Sequence, residues 1–451
     1  MAWAGCGTNP PSPTSNEGGS SAGGGPGGTS AIGAGTAGSG QATPGGGGGV
    51  SIAGSSTGGV AGGDGLGGSA GAPVAVDTSP ELYDPDVVPR FDIELPAESM
   101  AALDAMPDVY ARGVLKYKDE VVSDIGVRIK GEASQRTLDE KAAFKLKFDE
   151  FVDKQSFHGL RRMTFNNMVE DPTFLAERLA YHFFRSVELP APRCNSALLY
   201  VNGQFFGLYA NIETEDKTFL RRWFTSDDGN LYEEGQVDFE PGNEAEFDLE
   251  TNEEVNDRSD LTALIAAVSS SMAANFSETV GVQLDVPHFL KFTAAEGAVN
   301  QWDMYGYTVF YPNNFRLYRD PTQQKFVMLP WGMDMSMKPF RDSGKPHIEL
   351  LELARVGDYQ NGQISAGLIF RRCLSSPGCK AAYVTAAQDM ATRYEQAGML
   401  EVAKKYYAQI KDHVAADPRK EYSVSQFEAA YQSQLEVIGQ RPAAMRASLQ
   451  E

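Results

Sequence analysis

No lysine or arginine precedes Arg90 in this chain of 451 residues, and before Asp77 the only charges are Glu17 and Asp64. The same stretch holds more than half of the 47 glycines. Tracts such as GGGGGVSIAGSSTGG offer too little apolar surface to offset chain entropy. Residues 1–78 are therefore read as a flexible Gly/Ser/Ala linker, and residues 79–451 as the folded part. No apolar run reaches the length that crosses a bilayer. Basic residues are outnumbered, 39 against 60 acidic, for a net charge of −21. That balance argues against a nucleic-acid partner, because phosphate contacts need a basic face. Histidine is scarce, and His158, His182, His288, His347 and His413 show no zinc spacing. No G-x-x-x-x-G-K-[ST] occurs, which excludes a P-loop.

Only four cysteines are present. Cys373 and Cys379, in CLSSPGC, flank a Pro-Gly turn and are close enough to bridge, and disulfides persist outside the reducing cytosol. Cys194 reads as a plain buried thiol. Cys6, in MAWAGC, follows two small residues as at the end of a bacterial lipoprotein signal; a coincidental Ala-Gly-Cys is the alternative. These features favour an exported protein, at the cell surface or in the periplasm, touching membrane only through a lipid anchor at Cys6.

What the folded part contains is a change of period along the chain. Strands are expected at Arg90–Pro96, on both sides of the polar KDE turn at 118–120, and at Ala142–Phe148. In that last strand Phe144, Leu146 and Phe148 share one face and Lys145 and Lys147 the other. EDPTFLAERLAYHFF predicts a helix capped by Asp171 with Pro172 in its first turn. Asn202-Gly203, between two apolar alternating runs, predicts a type I′ hairpin. The stretch Glu233 to Asp260 reads as a loop. Two further strands, NNFRLYRD and KFVMLP, surround the turn PTQQ, and from about Ile348 the pattern is mostly helical. Segregated strands and helices place the chain in the α+β class.

Three polar residues stand near the junction of the two halves: Asp303 at the end of GAVNQWD, Asn314 at the start of NFRLY, and Asp334 in PWGMDM. Asp334 is walled in by methionines and a tryptophan, and a buried carboxylate is tolerated when paired or bound to metal. Strand pairing would bring Asn314 and Asp334 to one end of a hairpin, with Asp303 facing them. Asp and Asn oxygens suit Mg²⁺ or Mn²⁺, and a further Asp can accept a hydroxyl proton, as in phosphoryl transfer. Basic partners are available in VRIKGEAS, with Lys130, Gly131 and Ser134, and in the strand carrying Lys145 and Lys147. Glu213 in the hairpin strand can pair a lysine or lie near a base. The ordinary alternatives are a helix cap for Asp303, a turn role for Asn314 and a solvated sheet face for the lysines.

Taken in order, these motifs resemble the CotH family, spore-coat protein H and its relatives, from about Phe91 to Leu449. VRIKGEAS, KAAFKLKF, LYVNGQFFGLYANIE, NQWD, NNFRLY, LPWGMD and GQRPAAMRASL carry the resemblance. It implies a reduced kinase-like fold of two lobes, a β-rich N-terminal half and an α-rich C-terminal half, binding ATP and a divalent metal between them. It gives Asp303 the catalytic aspartate's place and Asn314 and Asp334 the metal side. Lys130, Gly131 and Ser134 fall in the loop over the phosphates, one of Lys145 and Lys147 is a phosphate lysine, and Glu213 is the hairpin glutamate. Many relatives have P-W-D-x-D where this chain has Gly332 in place of the first acid. The expected activity is an atypical protein kinase acting on Ser/Thr of exported proteins. A surface-tethered pseudokinase or binding module of a coat or envelope, and a metal-dependent phosphohydrolase, are the other readings.

Overall fold

The structure, a computed structural model, describes residues 78–340, 345–355 and 364–450, so the Gly-rich tail and Cys6 lie outside the described residues. The N-terminal half is built from β1 (Arg90–Glu94), α1 (Ala97–Ala105), β2 (Ala111–Tyr117), β3 (Glu120–Lys130), β4 (Ala143–Lys147), β5 (Arg162–Asn166), α2 (Ala176–Ser186), β6 (Cys194–Val201) and β7 (Gln204–Ile212). Its strands close into a barrel in the order β1-β2-β3-β4-β5-β7-β6. All pairs are antiparallel except β1 with β6, whose parallel register sets Phe91 opposite Leu199. Alternation drives this closure: Phe144 and Leu146 point into the barrel core beside Phe91, Ile129 and Phe165. The opposite face of β3 and β4 carries Arg128 and Lys145, which are cross-strand partners.

The tight turn at Asn202-Gly203 forms as expected, with φ of 49° and 77°. Asn202 also accepts from the Leu95 N–H at 2.8 Å and donates back to its carbonyl at 3.0 Å, tying the hairpin to the end of β1. The helix expected from Asp171 begins later, at Ala176. Asp171 acts from a preceding turn: its Oδ2 accepts from the N–H groups of Leu175 and Ala176 at 2.9 and 2.8 Å. It thus satisfies orphan donors at the helix start without being the adjacent cap.

The rest of the chain comprises α3 (Lys217–Trp223), β8 (Leu231–Glu233), β9 (Asp248–Leu249), α4 (Ser259–Ser270), α5 (Phe276–Val280), α6 (Val286–Ala298), β10 (Phe315–Asp320) and β11 (Lys325–Pro330), then β12 (Ala354–Arg355), β13 (Ser365–Ala366), α7 (Leu368–Ser375), α8 (Pro377–Gln396), α9 (Met399–Ala416) and α10 (Val424–Ser448). The expected loop at Glu233–Asp260 contains a short strand pair, for β8 and β9 extend the β10–β11 hairpin into a four-stranded sheet. Cys373 and Cys379 are joined by a disulfide, and Cys194 is a buried free thiol. Among the described residues no helix is long and apolar enough to cross a membrane.

The barrel is fastened to the C-terminal helices through Asp417, which follows α9. Lys141 donates to Asp417 Oδ2 at 2.7 Å, and so does the Leu208 N–H at 2.9 Å. Gly207 allows this approach, since a Cβ there would lie 2.8 Å from both carboxylate oxygens. Nearby, Arg136 pairs with Glu421, Tyr422 donates to the Val169 carbonyl at 2.6 Å, and Gln434 donates to Thr173 Oγ1 at 3.1 Å. Lys141 and Asp417 are 1% and 0% exposed, so removing one partner strands a buried charge. Asp417→Ala is expected to cost about 3–5 kcal/mol of unfolding free energy in a denaturant titration. A loss below about 1 kcal/mol would refute the fastening role.

Candidate active site

Lys130, Glu177 and Asp334 act on one another electrostatically, Asp303 feels the charge of Asp334, and Asn314 bonds Asp303, so the five form one cluster. Helix α6 ends at Ala298, and Asn300 then turns left-handed at φ 53°. Asp303 therefore does not close the helix, as the sequence predicts, but lies in a loop where it forms a β-bridge with Thr308. Asn314 precedes β10 with φ 53°. The β10–β11 register and a 3.1 Å bond from the Trp331 N–H to the Asn314 carbonyl set Asn314 beside the Pro330–Asp334 segment. Asp334 sits in a single turn of 3₁₀ helix, Met333–Met335, launched by left-handed Gly332.

Hydrogen bonds fix Asp303. Asn314 Nδ2 donates to its Oδ2 at 2.9 Å and to its carbonyl oxygen at 2.7 Å, and Asn313 Nδ2 lies 3.4–3.5 Å from both carboxylate oxygens. Burial pushes the Asp303 pKa up to about 7, the Asp334 charge adds to the rise, and the asparagines oppose it. Burial also raises Asp334, against the pull of Lys338; Asp171 adds to the rise and Lys130 counters it. The Asp334 side chain accepts from its own backbone N–H and makes no hydrogen bond to another described residue.

Lys130, at the end of β3, donates to Asn166 Oδ1 at 3.1 Å, and Asn166 Nδ2 donates to Glu177 Oε2 at 2.8 Å. Burial lowers the Lys130 pKa, while Glu177, Asp334 and Glu233 work against that. Burial raises Glu177 to about 8, with Asp334 reinforcing the shift. Gly131 takes φ 117°, and a Cβ there would stand 2.8 Å from Ser134 Oγ, so the turn after Lys130 requires glycine. Ser134 is held through its carbonyl by Asn167 Nδ2 at 2.9 Å.

The other expected residues separate. Lys145 is held at about 8 by burial, with Glu233 opposing and Arg316 assisting. It lines a cavity of about 380 Å³ with Arg128, Arg162, Arg316 and Lys147, and Lys147 also pairs with Glu150 at 2.7 Å. Glu213 pairs with two arginines rather than with a lysine or a base. Arg193 donates at 2.7 Å and Arg222 closes on the other side, so both its oxygens are committed. Sequence reasoning missed Glu177, Asn166, Glu233 and Arg316. Arg316 is 1% exposed and bonds Glu233 at 2.7 Å, and its pairing holds Glu233 at about 2 although burial alone would raise that carboxyl. No periodic signal in the sequence marks Glu177, because α2 is buried on nearly every side.

Position 332 is tightly constrained. A Cβ on Gly332 would lie 2.0 Å from Asn314 Oδ1, at a backbone φ of 54°. Gly332→Ala should therefore lose about 1–3 kcal/mol in denaturant titration and displace the Asn314 amide from Asp303. An unchanged midpoint and an unchanged Asn314 side-chain amide resonance would contradict this.

The family described as CotH kinase protein matches residues 127–445. "Inner spore coat protein H" of Bacillus subtilis (strain 168) is 22% identical over 247 residues, covering 50% of this chain and 66% of the relative. "Inner spore coat protein H-like protein" of the same organism is 32% identical over 90 residues, covering 20% of this chain and 28% of the relative. The chain thus spans less than two thirds of either relative. Among solved structures, the Helicobacter pylori proinflammatory kinase CtkA aligns at 12% identity with a TM-score of 0.27, over 72% of this chain and 95% of that one. The match over residues 127–445 places the cleft described above inside the family's own span, and the chain belongs to the CotH kinase family.

Proposed function

We propose that the protein is an ATP- and divalent-metal-dependent kinase that phosphorylates Ser/Thr hydroxyls of exported or surface proteins. The supporting observation is the gathering of Asp303, Asn314 and Asp334 beside Lys130 in one partly buried cluster. Asp303, oriented by two asparagines, is placed to accept the acceptor hydroxyl's proton, and a carboxyl poised near neutrality suits a general base. We assign Lys130 and the Gly131–Ser134 turn to the phosphates, with Lys145 and Lys147 on the neighbouring strand β4 of the same sheet.

The oxygens of Asp334, which meet only the residue's own N–H among the described residues, are hard donors that fit Mg²⁺ or Mn²⁺. Asn314 spends its NH₂ group on Asp303, leaving only Oδ1 for a cation. When bound, the metal neutralises charge on the transferring phosphates. Export is supported by the Cys373–Cys379 disulfide, and likeness to spore-coat proteins makes a coat or envelope protein the acceptor class.

Full-length protein should incorporate labelled phosphate from ATP with Mn²⁺ or Mg²⁺, and Asp303→Ala should lower the rate by about 10²–10⁴. Below about pH 7 the wild-type rate should fall roughly tenfold per unit, because protonated Asp303 cannot act as a base. Labelling that persists unchanged in Asp303→Ala would sink this reading. A second reading, a pseudokinase or binding module of a coat, is favoured by Gly332 standing where many relatives carry an acid. Absence of a thermal shift with ATP plus metal would favour it.

A further inference from the structure

The loop of residues 304–313, between Asp303 and Asn314, is mostly packed away: Tyr305, Tyr307 and Val309 are buried. Two consecutive residues break that pattern. Phe310 is 61% exposed and Tyr311 37%, with ring centroids 6.4 Å apart. A single exposed apolar side chain needs no explanation. Here two large rings stand side by side. The other exposed aromatic ring among the described residues, Phe151, has the Arg112 guanidinium 4.2 Å from its centre.

These rings are not carried on a loose tip. Thr308 is buried, exchanges backbone hydrogen bonds with Ser365 at 2.9 and 2.8 Å, and forms a β-bridge with Asp303. Its hydroxyl donates to the Tyr311 carbonyl and accepts from the Phe310 N–H at 3.4 Å. On the far side Pro312 is buried, and Asn313 Nδ2 lies 3.4–3.5 Å from the Asp303 carboxylate oxygens. Phe310 and Tyr311 are thus bracketed by two residues that each engage Asp303. Partial burial raises the Tyr311 phenol, and the charges of Asp303, Glu132 and Glu234 add to the rise, so this ring also lies toward the turn after Lys130. Rigid aromatic side chains lose little conformational freedom when covered and are favoured anchors at recognition surfaces.

We propose that Phe310 and Tyr311 form the docking platform for the acceptor polypeptide, selecting segments that carry a large apolar side chain within a few residues of the hydroxyl to be phosphorylated. The occupant follows from position: a hydroxyl that reaches Asp303 brings its flanking chain past these two rings. The proposal rests on the reading of Asp303 as the base, and it adds a substrate class to that reading.

The test is the binding of fluorescently labelled short peptides, each with one central serine, to the full chain, followed by anisotropy in the presence of Mg²⁺ and a non-hydrolysable ATP analogue. Peptides with Phe or Leu near the serine should bind about tenfold tighter than peptides with Ala there. Phe310→Ser and Tyr311→Ser should each shrink that margin and the double variant should abolish it. Phe310→Leu, which keeps apolar bulk, should retain more of it than Phe310→Ser, and thermal melts confirm that the variants fold. When the same peptides are labelled from ATP, the loss should appear in the peptide KM and not in kcat. A margin absent from wild type, or intact in the double variant, overturns the platform. Wild type that dimerises while Phe310→Ser stays monomeric would give the rings to a second copy and also overturn it. A ring-dependent apolar preference with no peptide labelled from ATP would instead sink the kinase reading and leave the peptide-binding platform standing.

Discussion

Compensation of buried negative charge is the constraint on which the cleft depends. Asp334 and Glu177 share the pull of Lys130, Lys338 also acts on Asp334, Asp303 feels the Asp334 charge, and each carboxyl is pushed toward its neutral form by burial. Such an arrangement is unfavourable unless charge of the opposite sign arrives or protons are retained. The protein maintains it because the surroundings leave no alternative. Asparagines clamp Asp303, the turn after Gly332 fixes Asp334, and Asn166 holds Glu177. A divalent cation with its phosphate chain, as proposed for this cleft, would supply that opposite charge.

The same strategy recurs at the fastening of the two halves, where it is fully satisfied. Asp417 receives Lys141 and two backbone N–H groups, so its charge is balanced within the protein. The contrast separates structure from function. The carboxylate that joins barrel to helices meets an ammonium and two N–H groups, whereas Asp303 meets only neutral asparagine amides. Arg316 also meets two carboxylates, Glu215 and Glu233.

Much of this was legible from the sequence, and the reasons differ by element. The alternation of Phe144, Leu146 and Phe148, and the Asn202-Gly203 turn, are local signals that tertiary packing reinforced. Asp303, Asn314 and Asp334 were found because polar residues at strand ends in apolar company are rare. Glu177 was overlooked because periodicity separates a buried from an exposed face, and α2 has hardly any exposed face. Glu213 was misplaced for a related reason: the arginines that claim it come from the start of β6 and from α3, a meeting that spacing along the chain does not reveal. The start of α2 was read early because Asp171 caps it across an intervening turn instead of from the adjacent position.

The anchoring of α2 has a consequence for motion. A helix held at one end only can pivot on its packing. Here its first turn is locked by Asp171, the segment before it is tied to the C-terminal helices through Tyr422 and Gln434, and its glutamate is tethered to the barrel by Asn166. Three separate ties leave α2 no free end on which to pivot, so the helix and the 3₁₀ turn it packs on are expected to move with the barrel and the C-terminal helices as one piece.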